Sequence, residues 1–435
     1  MEKKEVTIFW FRRDLRLNDN CGLFQALNEN TNVLPIFIFD QDILSQLSPI
    51  DHRVTFIFDE ISKIKTQLNN LGSDLIVEYG KPLDIFKKLR QLYSIQSVYT
   101  NHDYESYGQK RDSNIQNDLN ENNIQFKSYK NHVIFEKSEI LSDSEKNYTV
   151  YTPYKKKWLG RLSEKDLAPF NTVPLQKNYL QISKSSLLNL EQMGFKRSPI
   201  QYPELKLTKS ILQGYEKNRD FPFLENGTSK LGLHLRFGTA SVRYLAKIAK
   251  ENSDVWLSEL IWRDFFNQIL FHFPKSETKS FRPEYENIKW RDDENDFVRW
   301  QQGLTGYPLV DAGMRELNST GHMHNRVRMV TASFLTKHLL IHWKKGERYF
   351  ASLLYDYDLS ANVGNWQWAA GTGCDAAPYF RIFNPTAQQE KFDPDFKYIK
   401  KWVPEFGTKD YVAPMVEHTI ARERCLSEYK KGLGK

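Results

Sequence analysis

The first 135 residues alternate between short apolar runs and amphipathic segments, and this alternation constrains the fold more than any other feature. Apolar, β-favouring runs occupy residues 6–11, 33–39, 75–79, 97–100 and 124–126. Residues 54–71, between the second and third runs, have the apolar spacing of a helix. Apolar strands separated by helices are typical of a parallel sheet with both faces covered. The sequence therefore predicts a doubly wound, Rossmann-like α/β domain over residues 1–135.

The rest of the chain divides into two further segments. Residues 136–205 carry few periodic patterns and many Lys, Ser, Asn and Pro residues, which is typical of a long connection. From Tyr215 onward the pattern is helical, with Gly and Pro between the helices and hardly any strand signal. We therefore predict an interdomain linker over 136–205 and an all-α domain over 206–435.

Residues 10–19 follow the first predicted strand and read Trp-Phe-Arg-Arg-Asp-Leu-Arg-Leu-Asn-Asp. A Rossmann domain that binds a dinucleotide has a G-x-G-x-x-G turn at this place, because glycines let the backbone approach the pyrophosphate. The charged segment argues against that mode of binding in this domain.

Composition excludes several classes of protein. The chain of 435 residues is 40% hydrophobic with a mean hydropathy of −0.61, and no apolar run approaches the roughly 18 residues that span a bilayer. The N-terminus shows no secretory signal. The three cysteines, Cys21, Cys374 and Cys425, have neither paired nor zinc-ligand spacing. We therefore expect a cytoplasmic protein without a metal site.

Charge and aromatic content give a weak indication of the partner. The net charge of +7 is modest, and alone it only slightly favours nucleic acid over a mildly basic protein with no such partner. The chain has ten tryptophans, and eight lie in its C-terminal half: Trp256, Trp262, Trp290, Trp300, Trp343, Trp366, Trp368 and Trp402.

Residues 356–385 concentrate polar and aromatic groups with little aliphatic content. The segment includes Asp356, Asp358, Asn362, Trp366 and Trp368. An ordinary core would use Leu, Ile and Val here. Wide aromatic faces beside hydrogen-bonding groups suit a planar, polar, aromatic ligand.

Two helical segments place functional groups on one face. In residues 256–266, Glu259, Trp262 and Arg263 share a stripe that could line a polar aromatic pocket, although a surface Glu259–Arg263 ion pair explains them equally well. In residues 323–334, Asn325 and Met329 share a face, whereas Arg326 and Arg328 point in directions about 200° apart. One of these arginines could meet an internal carboxylate while the other reaches a phosphate. The alternative is that both are solvated side chains.

Residues 227–232 read Gly-Thr-Ser-Lys-Leu-Gly at the predicted start of a helix. Hydroxyls, backbone N–H groups and a lysine suit a phosphate. The alternative is an ordinary helix start in which Thr228 or Ser229 is the N-cap.

Together these segments resemble the photolyase/cryptochrome family, specifically class I cyclobutane pyrimidine dimer photolyases. The resemblance rests on residues 10–19, Glu259-Leu-Ile-Trp-Arg263, Thr305-Gly-Tyr-Pro-Leu-Val-Asp-Ala-Gly-Met314, Met323-His-Asn-Arg-Val-Arg-Met329 and Trp366-Gln-Trp368, all in the family's order. It implies an α/β domain, a linker and a helical domain that holds FAD. It also implies a reaction in which reduced FAD absorbs light, passes an electron to a cyclobutane dimer in DNA, and recovers it after the dimer splits.

The resemblance also implies roles for individual residues. Asn362 matches the amide that faces the flavin N5, and Asp356 and Arg328 match a buried ion pair beside the flavin ring. Lys230 stands where the family has an arginine, so a point charge replaces a planar fork. The residues implied to bind FAD are Tyr215, Thr228, Ser229, Lys230, Leu231, Gly232, Arg263, Asn325, Arg328, Asp356, Tyr357, Asp358 and Asn362.

The same resemblance implies the lesion site and an electron path. Glu259 matches a carboxyl group that hydrogen-bonds the dimer. The residues implied to contact the dimer or DNA are Glu259, Trp262, Asn325, Arg326, Met329, Trp368 and Gln388. Trp366, Trp343 and Trp290 match an electron-transfer chain, with Trp300 either a branch or a packing residue. From the residues alone, these tryptophans would be interpreted as core aromatics.

Departures from the family pattern refine the subtype. Photolyases of the (6-4) type carry a histidine pair where this chain has His324-Asn325 and, further along the helix, Met329. The second histidine is missing, which argues against (6-4) repair. The alternative function is a cryptochrome-type blue-light receptor without repair activity. A second, antenna chromophore (a folate or a deazaflavin) stays open, because Tyr107 and Gly108 replace the Asn and Glu of a folate-binding relative. UV-damaged DNA is the expected partner of what we expect to be a monomer.

Overall fold

The computed structural model describes residues 3–435, which divide into two compact units. The first unit comprises the residues up to Glu139, together with Gly160–Leu205 and Leu231–Glu251. The second comprises Ile140–Leu159, Lys206–Lys230 and Asn252–Lys435. The predicted division into three consecutive segments is therefore simpler than the observed one, in which residues 136–205 are shared between both units.

The first unit contains a parallel sheet of five strands. The strands are β1 (Lys4–Phe11), β2 (Val33–Asp40), β3 (Ile76–Gly80), β4 (Tyr93–Asn101) and β5 (Gln125–Tyr129). Their order across the sheet is β3-β2-β1-β4-β5. The order reverses direction between β1 and β4, as in doubly wound folds. The predicted fold class is confirmed.

Helices account for most of the remaining chain. In chain order they are α1 (Cys21–Glu29), α2 (Gln41–Leu44), α3 (His52–Asn70), α4 (Pro82–Leu92), α5 (Ser106–Glu121), α6 (Tyr151–Arg161), α7 (Lys209–Asn218), α8 (Gly232–Arg236), α9 (Val242–Asn252), α10 (Asp254–His272), α11 (Glu294–Gln302), α12 (Pro308–Thr320), α13 (Asn325–Ser333), α14 (Trp343–Leu353), α15 (Leu359–Ala370), α16 (Pro385–Phe392), α17 (Lys397–Trp402) and α18 (His418–Gly432).

The central strands β1 and β2 are almost entirely buried because helices cover both faces of the sheet. Ile8, Trp10, Ile36 and Val98 belong to one apolar cluster under these helices, together with Phe86 of α4. Side-chain caps fix where helices begin; for example, Asn20 accepts a hydrogen bond from the N–H of Leu23 at the start of α1. No helix within residues 3–435 is long and apolar enough to cross a membrane.

Part of the predicted linker is a structured component of the first unit. The N–H of Leu180 donates to the carbonyl of Val33 at 2.8 Å, beside the start of β2. Ser185 donates its N–H to the Asp74 carboxylate at 2.7 Å, and Lys65 forms a buried ion pair with Asp74 at 2.6 Å. These long-range contacts have no periodic signature in the sequence.

The second unit has its own core, built around two fully buried tryptophans, Trp300 and Trp343. After α13 the chain continues as a buried π-helical turn, Phe334–His338, before α14 begins. Helix α15 packs against α10 and α14 in this unit. This packing places the segment that begins at Asp356 beside α13.

Candidate active site

A cavity in the second unit gathers many of the residues singled out in the sequence. Residues predicted to bind a ligand supply most of its lining: Asn325, Arg328, Met329, Asp356, Tyr357, Asp358, Asn362, Trp366 and Trp368. The residues not predicted are Ala332, Phe350, Leu354, Ala361, Asn365 and Ala369. Four of these six lie three residues after a predicted one, so the helical repeat was a signal that could have found them. The alanines leave room for a flat ligand.

Arg328 and Asp356 form an ion pair on one wall of this cavity. One guanidinium nitrogen, Nη2, donates to both carboxylate oxygens at 2.9 and 3.1 Å, and Nε donates to the carbonyl of Met323 at 2.7 Å. The Arg328 side chain is 26% exposed and that of Asp356 is 14% exposed. The pair is half-buried rather than buried as implied, because one side of it borders the cavity.

The amide of Asn362 has a defined orientation. Its Nδ2 group donates to the backbone carbonyl of Glu347 at 3.2 Å and to Oε1 of the same residue at 2.9 Å. A backbone carbonyl can only accept, so the NH₂ group must point this way and Oδ1 stays available as an acceptor. Burial raises the pKa of Glu347. Asp358 fixes the first turn of α15 by accepting hydrogen bonds from the N–H of Ala361 and the hydroxyl of Ser360.

Glu259 has a different ionic partner from the one considered in the sequence. Arg219, at the end of α7, donates to Oε1 of Glu259 at 2.5 Å. The same guanidinium lies 5.0 Å from the ring centroid of Tyr215, whose pKa is raised by burial. Glu259 thus has an ionic contact across 40 residues of sequence, in addition to any pairing along its own helix. Sequence spacing offered no signal for Arg219.

Two half-buried indoles match the implied lesion clamp. Trp368 lies in the cavity wall, with its ring 6.4 Å from that of Phe383. Trp262, on α10, is not among the residues that line this cavity; its ring stacks on Tyr151. Trp368 therefore lies with the cavity residues, whereas the action of Trp262 and Trp368 as a pair that clamps the lesion stays a prediction.

Two further residues implied to contact DNA lie outside the cavity lining. Arg326 forms an ion pair with Asp220 at 2.8 Å and stacks on Phe392 with its guanidinium carbon 4.3 Å from the ring centroid. Nε of Arg326 and Oε1 of Gln388 are buried without a hydrogen-bond partner. Unpaired buried polar atoms are rare in folded proteins and indicate places where a ligand could supply the partner.

The segment implied to bind phosphate, residues 228–232, lies between α7 and α8 and includes the first residue of α8. Ser229 accepts a hydrogen bond from Nε1 of Trp256 at 3.2 Å, and Lys230 has a left-handed backbone with φ of 51°. Leu231, rather than Thr228 or Ser229, is the N-cap of α8, so the simple capping alternative is wrong. Phosphate binding here stays a prediction.

The implied electron path runs through the core of the second unit. Trp366 lines the cavity and packs edge-on against Trp300, with ring centroids 6.2 Å apart. It also packs against the backbone of α14 at Gly346, where any added Cβ would collide with the indole. Trp343 is fully buried and Trp290 is half-buried, with His342 in ring contact with both at 5.8 and 5.1 Å. The path from Trp366 to Trp290 stays a prediction.

Comparison with known proteins explains this arrangement. A model described as the FAD binding domain of DNA photolyase matches residues 256–408, and one described as DNA photolyase matches residues 7–174. The deoxyribodipyrimidine photo-lyase of Escherichia coli is 36% identical, with 97% of this chain and 98% of that protein covered. The chain belongs to the photolyase/cryptochrome family. The recognition made from the sequence motifs is confirmed.

Solved structures of the family agree with the whole fold. A class III photolyase from Agrobacterium tumefaciens superposes with a TM-score of 0.87 at 31% identity, covering 100% of this chain and 99% of that one. An archaeal photolyase from Sulfolobus tokodaii, solved with two FAD molecules, superposes with a TM-score of 0.83 at 33% identity, covering 98% and 100%. The class I assignment made from the sequence stays a prediction.

The cavity fits the FAD that this family binds. An ion pair, a second carboxylate and an amide acceptor line this cavity together with alanine and aromatic residues. Such walls can satisfy the donors and acceptors at the edge of a flavin ring while covering its faces. FAD is therefore the cofactor, as expected from the sequence.

A second cavity, of about 350 Å³, lies in the first unit beside the end of β3 and helix α5. Its polar lining includes Lys81, Tyr107 and Arg111, and the Tyr107 hydroxyl donates to Asp40 at 2.7 Å. Gly108 packs so closely on Asp103 that no side chain would fit there without a shift. A glutamate, as in a folate-binding photolyase, would require the Asp103 side chain to move, and the antenna stays unassigned.

Proposed function

We propose that this protein is a deoxyribodipyrimidine photo-lyase that repairs cyclobutane pyrimidine dimers in DNA under blue or near-UV light. The observation that carries the proposal is the cavity of the second unit, where Arg328, Asp356 and Asn362 converge beside Trp366 and Trp368. When bound, reduced FAD supplies the light absorption and the electron that the dimer needs to split. The electron returns afterwards, so the reaction is a lyase reaction without net redox change.

The residues of the cavity wall hold the cofactor in a defined orientation. The Arg328–Asp356 pair would hold the flavin ring by offering it a fixed donor and a fixed acceptor. Asn362 offers Oδ1 as an acceptor, because Glu347 already engages its NH₂ group. An acceptor at this point favours a ring nitrogen that carries a hydrogen, and flavin N5 carries one only after reduction. Asn362 therefore favours the reduced form that repair requires.

The lesion is bound by groups on α10, α13 and α15. Trp262 and Trp368 stack on its rings, while Glu259 supplies a carboxyl group whose Oε1 is engaged by Arg219. Asn325 and Met329 face it from α13, where a (6-4) enzyme would need two histidines. A cyclobutane dimer must leave the duplex to reach such groups, and a poorly stacked lesion costs less to extrude than an intact pair.

DNA binding itself depends on phosphate contacts. Arg326, fixed by Asp220 and Phe392, and Gln388 are proposed to contact the DNA beside the lesion. Affinity that comes from such contacts falls with rising salt, because binding releases counterions from the DNA. We propose that the protein acts as a monomer in the cytoplasm, with damaged DNA as its partner.

A repair assay with defined substrates tests the proposal. Flavin-loaded, chemically reduced protein is mixed with oligonucleotides that contain either a cyclobutane dimer or a (6-4) product, in darkness and under blue light. We expect loss of the cyclobutane dimer only under light, and no change in the (6-4) product. Flavin photoreduction without any dimer splitting would instead establish a cryptochrome-type receptor.

The Trp366→Phe variant separates repair from flavin photoreduction. We expect it to photoreduce oxidised flavin at least tenfold more slowly, since phenylalanine cannot replace indole as an electron donor. Repair by chemically reduced enzyme should be unchanged. Loss of repair in that form would contradict the relay role of Trp366, and Trp300→Phe and Trp343→Phe would show which neighbour donates next.

A further inference from the structure

One broad face of the Trp262 indole is covered by the ring of Tyr151. The ring centroids lie 3.5 Å apart and the ring planes differ by 6°. Tyr151 is 8% exposed, whereas Trp262 is only half-buried. The exposed part of the indole is therefore the part that Tyr151 does not cover. Phe266, one turn further along α10, touches the same indole more obliquely, at 5.4 Å and 27°.

The Tyr151 ring is held in place from the helix that carries Trp262. The Tyr151 hydroxyl donates to the Ser258 carbonyl at 2.9 Å and lies 2.6 Å from its Oγ. Ser258 lies four residues before Trp262 on α10, so both side chains project from neighbouring turns of one helix. The hydroxyl thus fixes the phenol ring relative to the indole that it covers.

The backbone of Tyr151 is tied to a second element of the site. Its N–H donates to the Asp375 carboxylate at 3.1 Å. Asp375 lies in the segment that follows α15, the helix that carries Trp368. Tyr151 therefore contacts α10, the helix that carries Trp262, and the segment that follows α15, the helix that carries Trp368.

We propose that Tyr151 is a positioning residue for lesion binding: it fixes the plane of Trp262 so that the solvent-exposed part of the indole meets the extruded base. The proposal rests on the function proposed above, because it takes Trp262 to contact the lesion. Holding the indole in its binding orientation lowers the ordering cost that would otherwise reduce affinity. The effect on the lesion is exerted entirely through Trp262.

Lesion binding by Tyr151 variants tests the first part of the proposal. An aromatic pair of this kind is worth enough for a two- to tenfold effect on affinity, so we expect Tyr151→Ala to raise the Kd for a cyclobutane-dimer oligonucleotide by about that factor. Affinity for undamaged DNA, flavin content and repair per absorbed photon at saturating lesion should equal those of the wild type. Tyr151→Phe keeps the ring and should retain most of the affinity.

Tyr154→Ala is the matched control, since Tyr154 is a buried tyrosine of the same helix, α6, whose ring packs against Phe265 at 5.3 Å. We expect wild-type lesion affinity in this variant. An equal loss in Tyr154→Ala would show a general effect of loosening α6 and would overturn the proposal. Tyr151→Leu, which keeps apolar bulk without a flat ring, replaces Tyr151→Ala if the latter loses its flavin.

A double-mutant cycle separates action through Trp262 from any independent effect. If Tyr151 acts only through the indole, adding Tyr151→Ala to Trp262→Ala causes no further loss of lesion affinity. Additive losses would overturn the positioning role. If Trp262→Ala alone binds the lesion as tightly as the wild type, the lesion contact in the proposed function fails. If Trp262→Ala weakens binding while Tyr151→Ala does not, the positioning role alone fails.

Discussion

Two ionic clusters of this protein contain similar residues but are arranged for different purposes. In the first unit, the Asp19 carboxylate accepts hydrogen bonds from Arg243, Ser241 and the N–H of Phe170. The Asp19–Arg243 pair is almost fully enclosed, with side chains 9% and 6% exposed. In the second unit, the Arg328–Asp356 pair borders a cavity and is more exposed.

The difference shows how a structural cluster can be told from a binding one. Every polar atom named around Asp19 is satisfied by another group of the same unit, so nothing remains for a ligand. Around the cavity, an amide oxygen and one side of an ion pair stay available. Charged motifs alone do not make this distinction, because residues 10–19 contain a larger share of charged residues than residues 356–385. The two clusters differ in whether their polar groups are hydrogen-bonded within the protein or remain available to a ligand.

Removing Asp19 should have the largest effect on stability. Asp19→Ala leaves Arg243 buried without its carboxylate, which typically costs about 3–5 kcal/mol. We expect urea unfolding of the flavin-free protein, followed by circular dichroism, to shift accordingly. Glu164→Ala removes an exposed ion pair with Lys250 in the same unit and should leave stability unchanged. A similar midpoint for both variants would contradict the structural role of the Asp19 cluster.

Lys337 gives a third arrangement of a buried charge and a pH-dependent prediction. Its partners are the carbonyls of Ala370 and Tyr379, at 2.8 and 3.2 Å, and the ring of Tyr429 at 4.0 Å. Burial lowers the pKa of Lys337 from 10.5 to about 8. The unfolded chain therefore binds more protons than the folded one between about pH 8 and 10.5, so stability rises with pH in that window.

We expect the Lys337→Met variant to lack this rise, which should amount to roughly 3 kcal/mol in the wild type. Tyrosines and cysteines also titrate in this range, so the measured quantity is the difference between the two unfolding free energies from pH 7 to 11. If the unfolding free energies of the wild type and of Lys337→Met change in parallel with pH, burial does not lower the pKa of Lys337 as described.

Removing the charge of Asp356 should affect cofactor binding more than stability. Asp356→Asn keeps the size of the side chain but weakens its hydrogen bonds with Arg328, and a hydrogen bond to a charged group is worth about 1.5–3 kcal/mol. We expect about a ten- to hundredfold loss in FAD affinity, measured by flavin titration of the apoprotein. The unfolding free energy of the apoprotein should change little, because solvent already reaches this pair. A large stability loss with FAD affinity retained would reverse our distinction between the two clusters.

The central strands of the sheet were predicted well because each contains a run of consecutive apolar residues, which the sequence shows directly. The predicted runs 6–11 and 33–39 agree with β1 and β2 within two residues. The run 97–100 recovered only half of β4, since that strand begins with the polar residues Tyr93 and Ser94. Helical spacing placed Asn325 and Met329 on one face of α13, whereas the composition of residues 356–385 and the family resemblance supplied most of the other residues around the cavity.

Contacts between distant segments could not be predicted in this way. Arg219 meets Glu259 through packing of α7 on α10, and neither helix pattern contains that information. Tyr151 lay in a segment predicted to be a linker, so its stack on Trp262 had no expected counterpart. The family resemblance named residues that act on ligands, whereas residues that position those residues came only from the structure.

The smallest expected effect concerns the orientation of the Asn362 amide. It tests whether polar groups that lack a full set of partners within the protein select the ligand. Glu347→Ala removes the Oε1 acceptor of the Asn362 NH₂ group but leaves the backbone carbonyl of residue 347, so the preference of the amide for presenting Oδ1 to the cavity is weakened. Complete loss of one hydrogen bond of about 1 kcal/mol to reduced flavin lowers the two-electron reduction potential by about 20 mV, so we expect a decrease of at most about that size. Spectroelectrochemical titration of the flavin-loaded protein measures this shift. Glu347→Gln keeps an oxygen acceptor and should stay close to the wild type, whereas an unchanged or higher potential in Glu347→Ala would show that the amide is oriented by something else.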